Sequence, residues 1–131
     1  MRVFRYEHPN TGFGPYRNPF ADNDWFADDY VPDPLYDEYD EFRYDSHGLG
    51  WHEDNSLTTH PAPQITLGRR PHEWEVCGCD SLDSLIRWFD GFHERLEEFG
   101  FVIREYETDG FLGPDRCGQV LFHKSRATLI S

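Results

Sequence analysis

The sequence predicts an α+β fold in which one principal amphipathic helix packs on one face of a mainly antiparallel sheet. Apolar residues recur at helical spacing over about 81–99, and short β-branched or aromatic runs lie on both sides of that stretch. The length of 131 residues is typical of one domain that buries one core. We therefore expect a single domain over 1–131, which includes an acidic, aromatic-rich segment at 18–47.

The first predicted element is a strand over 2–7, RVFRYE, which begins the chain with β-branched and aromatic residues. The turn-forming sequence HPNTG at 8–12 ends it. Because side chains alternate along a strand, Val3 and Arg5 are expected on one face and Tyr6 on the other.

The segment 18–47 combines ten carboxylates and a single base, Arg43, with interleaved aromatic rings. A disordered acidic tail would be poor in such rings. We therefore predict loops and a short helix that the rings anchor and that display the carboxylates. Pro32 and Pro34 exclude one long helix through the segment.

Residues 47–72 are rich in turn-forming residues and are predicted as loop with a short strand at 64–67, followed by a strand over 73–79. The helix over 81–99 is the clearest element. Its N-cap is Asp80 or Ser81, and Gly91 weakens its middle. Its apolar face consists of Leu82, Leu85, Ile86, Phe89, Phe92, Leu96 and Phe99.

Three strands are predicted after the helix, over 101–107, 119–123 and 127–130. The loop between the first two, TDGFLGPDRCG, is long enough to join them as an elaborate hairpin.

The charge balance restricts the classes of partner. With 25 acidic and 12 basic residues, the net charge is −13, which argues against direct binding to nucleic acid or to an anionic membrane. A host protein with a basic surface is the expected partner. No apolar run approaches the ~20 residues of a membrane span, and the N-terminus has no signal-peptide pattern. Residence in the cytoplasm is therefore expected, and the oligomeric state stays open.

The cysteines and histidines match no metal-site template. Cys77-Gly78-Cys79 has CxC spacing, and the third thiol, Cys117, is distant in sequence. The odd count does not indicate a disulfide framework, so reduced thiols are expected. Calcium-loop, nucleophile-elbow and phosphate-loop motifs are also absent from the sequence. We therefore predict neither a metal nor a cofactor.

The favoured hypothesis assigns a binding surface to the acidic segment. Repeated carboxylates on a folded surface would imitate the phosphates of nucleic acid and compete for a basic groove. The predicted contact residues are Trp25, Asp28, Asp29, Tyr36, Asp37, Glu38, Tyr39, Asp40 and Glu41.

The alternative hypothesis is a nucleotide-binding protein or a small enzyme. Arg5, Tyr16, His60 and Trp88 would line its pocket. Arg5, His60 and Glu105, with Glu107 as the other candidate carboxylate, would carry catalysis of the kind found in a small ADP-ribosyltransferase. Such a protein would sequester a signalling nucleotide or modify a target with one.

The opening RVFRYEHPNTGFGPY resembles the start of small phage and prophage proteins. The similarity continues in HPAP at 60–63, CGCDSLDSLIRWF at 77–89, GFVIREYE at 100–107 and GQVLF at 118–122. It covers both ends of the chain and not the segment 18–47. The resemblance implies a mobile-element accessory protein without implying an activity. Phage proteins of this size and charge often inhibit host defence systems such as CRISPR effectors, which supports the first hypothesis.

Overall fold

The computed structural model describes residues 1–20, 35–44, 63 and 67–131. This part of the chain forms an antiparallel sheet with helices, which confirms the α+β class. The strands are β1 (Arg2–Glu7), β2 (Glu75–Cys79), β3 (Val102–Glu107), β4 (Phe111–Leu112), β5 (Gln119–His123) and β6 (Thr128–Leu129). The helices are α1 (Leu35–Tyr44), α2 (Leu82–Trp88) and α3 (His93–Glu98), with a 3₁₀ turn at Lys124–Arg126.

The sheet has the order β4-β5-β2-β1-β3-β6. On one side, β1 pairs with β3 along its whole length, from Arg2 opposite Glu107 to Glu7 opposite Val102. On the other side, β1 meets β2 at a single pair, Phe4 opposite Cys79. The sheet therefore opens beyond that pair, and this opening positions the candidate site.

The hairpin predicted between 101–107 and 119–123 is wrong, although both strands exist. β1 and β2 lie between them in the sheet. The predicted loop itself contains β4, which takes the hairpin position on β5 by placing Phe111 opposite Phe122. β1 has buried side chains on both faces and takes an interior position instead of an edge.

The single helix predicted over 81–99 is two short helices. Ser81 caps α2 as predicted, because its side chain accepts a hydrogen bond from the Ser84 N–H. Gly91 lies between α2 and α3 with a φ of +89°, a backbone conformation that other residues rarely adopt. Leu85, Phe89, Leu96 and Phe99 pack on one cluster from both sides of the break, so apolar spacing alone did not reveal it. Leu82 and Ile86 of the predicted apolar face are a correction, because both side chains are exposed.

Two buried clusters lie on the two faces of the sheet. The larger contains Tyr6 of β1 and the predicted helix residues Leu85 and Phe89, all buried as expected. The smaller cluster consists of Val3, Tyr106, Val120 and Phe122. Val3 and Tyr6 are thus on opposite faces, as the alternation in β1 predicts.

Helix α1 confirms the short helix expected in the acidic segment, and it begins directly after Pro34. Tyr39 fixes it to the larger cluster. The Tyr39 ring is fully buried against Phe99 and Phe101, and its hydroxyl donates a hydrogen bond to the Pro15 carbonyl. The predicted strand at 64–67 lies largely outside the described residues.

Candidate ligand-binding site

A cavity of about 290 Å³ lies where the sheet opens between β1 and β2. Arg5 and Tyr6 border it on one strand, Val76 to Cys79 on the other, and the loop 12–17 closes one side. Its volume is close to the lower end of small-molecule sites, which measure roughly 300–1,000 Å³. Leu85, Trp88, Phe89, Pro63, Pro71, Glu75 and Gln119 complete the described lining.

Arg5 is the buried cation of this cavity, with only 5% of its surface exposed. Among the described residues its Nη1 atom has no hydrogen-bond partner, and its Nε makes no hydrogen bond but lies 3.3 Å from Glu7 Oε1 as an ion pair. Nη2 lies beneath Gly14, where a Cβ atom would come within 2.9 Å. Burial lowers the pKa of Arg5, because desolvation outweighs the attraction of Glu7. A guanidinium stays protonated despite this shift, so a positive charge with unused donors borders the cavity.

Glu7, the buried carboxylate beside Arg5, lies close to one hydroxyl and two cations. Tyr106 donates its hydroxyl hydrogen to Glu7 Oε1 at 2.7 Å, and the Lys124 ammonium lies 3.0 Å from the same oxygen. Arg5 Nε is slightly farther, at 3.3 Å. Burial and the bond to Glu7 raise the pKa of Tyr106, so its hydroxyl stays protonated and acts as the donor.

Aromatic rings form another wall of the cavity. Trp88 donates its indole N–H to the Tyr16 hydroxyl at 3.0 Å, which holds the two residues against each other. Phe89 packs edge-on against Tyr6, whose hydroxyl is 2.5 Å from Nδ1 of His93. These rings make this wall of the cavity aromatic and largely apolar.

The rim of the cavity carries two further charged residues. Arg17 stacks its guanidinium over the Phe13 ring, 3.7 Å from the ring centroid. Glu75 forms a two-bond pair with Arg69, at 2.7 and 3.0 Å, and accepts the His72 backbone N–H. The Arg69 hydrogen bonds lower the pKa of Glu75 to about 2, so this carboxylate is ionised and already neutralised by its partner.

The structure brings together three of the four residues of the predicted pocket, namely Arg5, Tyr16 and Trp88. His60, the fourth, lies outside the described residues. The proposed catalytic carboxylate does not join them, because Glu105 pairs with Arg2 at 3.0 Å and does not line the cavity. Glu107 is likewise bound to Arg2 and to the N-terminal amine.

The predicted acidic surface is only partly assembled by α1. Asp37, Glu38 and Glu41 are exposed, and Tyr36 is half-buried. Asp40 is tied to Asn18 and Arg43, both at 3.0 Å. The prediction that Tyr39 contacts a partner is corrected, because its ring is fully buried in the core and cannot act as an interface anchor. Trp25, Asp28 and Asp29 lie outside the described residues.

The family model of the bacteriophage T4 Y00F protein matches residues 1–131 of this chain. The chain belongs to this family. The match confirms the phage resemblance and extends it across the acidic segment, and it assigns no activity. Neither the curated proteins nor the solved structures contain a match.

Other features of this Y00F-family protein concern metals, thiols and membranes. No group of three metal-binding side chains occurs among the residues that the structure describes. No disulfide joins Cys77, Cys79 and Cys117 to one another, and burial raises the pKa of Cys79 and Cys117. Over the same residues, the helices are too short and too polar to cross a membrane.

Sequence reasoning missed the groups that surround Arg5. The ion pair with Glu7 had a local signal, because residues two apart in a strand share a face. The participation of Lys124 and Tyr106 had none, since both come from the last third of the chain. The opening between β1 and β2 also depends on pairing that no local pattern encodes.

Proposed function

We propose that this phage-family protein binds a small ligand that combines an aromatic ring with an anionic group, as a nucleotide does. The observation that carries this proposal is the buried Arg5 guanidinium at a cavity with aromatic walls. It favours the nucleotide hypothesis over the acidic surface that the sequence favoured.

The energetics of Arg5 support an anionic ligand. A buried polar group without hydrogen bonds costs about 1–3 kcal/mol, and more if it is charged. Phosphate oxygens are strong acceptors for a guanidinium, and bonds between such charged groups are stronger than neutral ones. An anion in the cavity would therefore regain part of that cost.

The aromatic walls of the cavity are evidence for the other part of the proposed ligand, its aromatic ring. Tyr16 and Trp88 are held against each other by their hydrogen bond, so their rings need little reorganisation on binding. In the host cytoplasm, such a protein would act by sequestering a signalling nucleotide.

The direct test is isothermal titration calorimetry with a panel of nucleoside 5′-monophosphates and 3′,5′-cyclic monophosphates. We expect at least one member to bind, and Arg5→Met to weaken it by about tenfold or more, as loss of a charged hydrogen bond does. Arg2→Met is the matched control on the same strand, because Arg2 is half-exposed and pairs outside the cavity. Absence of binding by every member would refute the proposal, as would equal losses in both variants while the melting temperatures stay unchanged.

We also propose a second function for the outer face of α1, contact with a basic surface of a host protein such as a defence effector. Its support is that the face is firmly held: Tyr39 lies in the core, and Asn18 bonds to both the Tyr36 carbonyl and Asp40. Exposed acids on a fixed helix would steer a basic partner towards the complex.

This second function is tested by reversing Asp37, Glu38 and Glu41 to Lys while keeping Asp40, which is needed for the internal bonds. Binding to a basic host protein captured from lysate should slow in association and weaken further with salt. The matched control reverses three exposed acids elsewhere, Asp83, Glu94 and Asp109. Equal effects of the two triple variants would show general charge attraction and contradict a specific surface.

A further inference from the structure

Among the described residues that line the cavity, Arg5 is the one buried positive charge. Of the charged residues in its described lining, Arg5 is buried, Arg17 is exposed at the rim, and Glu75 is neutralised by Arg69. Lys124 is closer to Glu7 than Arg5 is, at 3.0 against 3.3 Å. The single carboxylate of Glu7 therefore lies between two cations, Lys124 and Arg5, which leaves one net positive charge in this group beside the cavity.

The charges around the cavity restrict the number of negative charges on the ligand more than the cavity volume restricts the size of the ligand. A singly charged group beside Arg5 would be compensated, whereas a second negative charge at that depth would be desolvated, because Arg17, the other cation of the described lining, lies exposed at the rim. The protein adds a general penalty, since its net charge is −13. A volume of about 290 Å³ leaves room for one ring system and one small polar group.

Resting on the proposed function, we infer that the ligand of this cavity is a nucleotide with a singly charged phosphodiester, as in a cyclic mononucleotide. A phosphodiester carries one negative charge. A phosphomonoester carries about 1.5 to 2 at neutral pH, and a triphosphate carries more. The same ring with these different phosphate groups should therefore bind with different affinity.

The test compares adenosine 3′,5′-cyclic monophosphate, adenosine 5′-monophosphate, adenosine triphosphate and adenosine by calorimetry at pH 7.5, with the guanosine series in parallel. We expect the cyclic form to bind about tenfold or more tightly than the monoester and the triphosphate, and more tightly than the uncharged nucleoside. Tighter binding of the monoester or triphosphate would overturn this inference and leave the proposed function standing. Failure of these purine compounds to bind would overturn this inference for purine nucleotides, and failure of the full panel above would refute the proposed function itself.

A charge variant tests the reason for the preference. Glu7→Gln keeps an acceptor for Tyr106 but removes the negative charge, so it adds one uncompensated positive charge beside Arg5. The affinity ratio of cyclic nucleotide to monoester should fall by about tenfold in this variant. The matched control is Glu107→Gln, which removes an exposed carboxylate that lies outside the cavity. An unchanged ratio in folded Glu7→Gln, or an equal fall in the control, would contradict the charge argument.

Discussion

Gly78 of β2 is closely approached by two buried side chains, those of Val3 and Phe122. A Cβ atom there would contact the Cγ1 methyl of Val3, and it would lie 3.1 Å from the Phe4 carbonyl oxygen and 3.3 Å from the Phe122 ring. Val3 and Phe122 are fully buried, so neither can move aside freely.

Gly78→Ala should therefore destabilise the protein by about 1–3 kcal/mol, the usual cost of overpacking. Urea denaturation measures this change. Gly110→Ala is the control: its Cβ would meet nothing within 4 Å, and its backbone is not in the left-handed region. A loss no larger in Gly78→Ala than in Gly110→Ala would show that the strands do not approach as described.

The lowered pKa of Glu75 predicts how the stability of the fold depends on pH. Its pKa is lowered from 4.5 to about 2, chiefly by the Arg69 hydrogen bonds. Because the folded-state value is the lower one, the carboxylate stabilises the fold above about pH 4.5, and this contribution is lost as the pH falls towards 2.

Unfolding in urea at several pH values, with wild type and Glu75→Gln side by side, checks this. The difference in unfolding free energy should be constant from pH 7 to about 5 and shrink at lower pH. A difference that does not change between pH 5 and pH 3 would show that Glu75 is not held by Arg69 in solution.

At the scale of elements, Gly91 distinguishes the observed pair of helices from one continuous helix. Its φ is +89°, and a Cβ there would touch nothing, so any cost of a side chain comes from the backbone alone. Gly91→Ala should cost about 1–2 kcal/mol, because an L-residue is strained in this region. In a continuous helix the same change would gain about 1 kcal/mol. A lower urea midpoint in Gly91→Ala therefore supports two helices separated at Gly91, and a higher midpoint supports one continuous helix.

Local patterns were sufficient for most elements. The strands at Arg2–Glu7 and Gln119–His123 were predicted with these bounds, since alternation and turn residues define them within a few residues of sequence. The neighbours of each strand were not predictable in this way. β3 and β5 are consecutive long strands that lie apart in the sheet, because pairing is decided by packing over the whole chain.

At the scale of the molecule, the sequence indicated several residues of the candidate site but not the cavity that brings them together. Arg5, Tyr16 and Trp88, which the sequence grouped as a place for a phosphate and a base, line one cavity, and their binding of a ligand stays a prediction. The role of Tyr39 was misjudged, since an aromatic residue among acids has the same sequence signal whether it faces the core or a partner. The opening of the sheet, which creates the cavity, is a property of tertiary structure alone.

The central claim is that a nucleotide enters the cavity beside Arg5, and NMR tests it most directly. During titration with adenosine 3′,5′-cyclic monophosphate, the indole N–H signal of Trp88 and the Nε–H signal of Arg5 should shift together and saturate at one equivalent. Trp74 is the internal reference, since it is 57% exposed and does not line the cavity. Trp88→Phe, Trp74→Phe and Arg5→Lys assign the three signals. A shift of Trp74 without any change at Trp88 and Arg5 would place the nucleotide on the surface and contradict the claim.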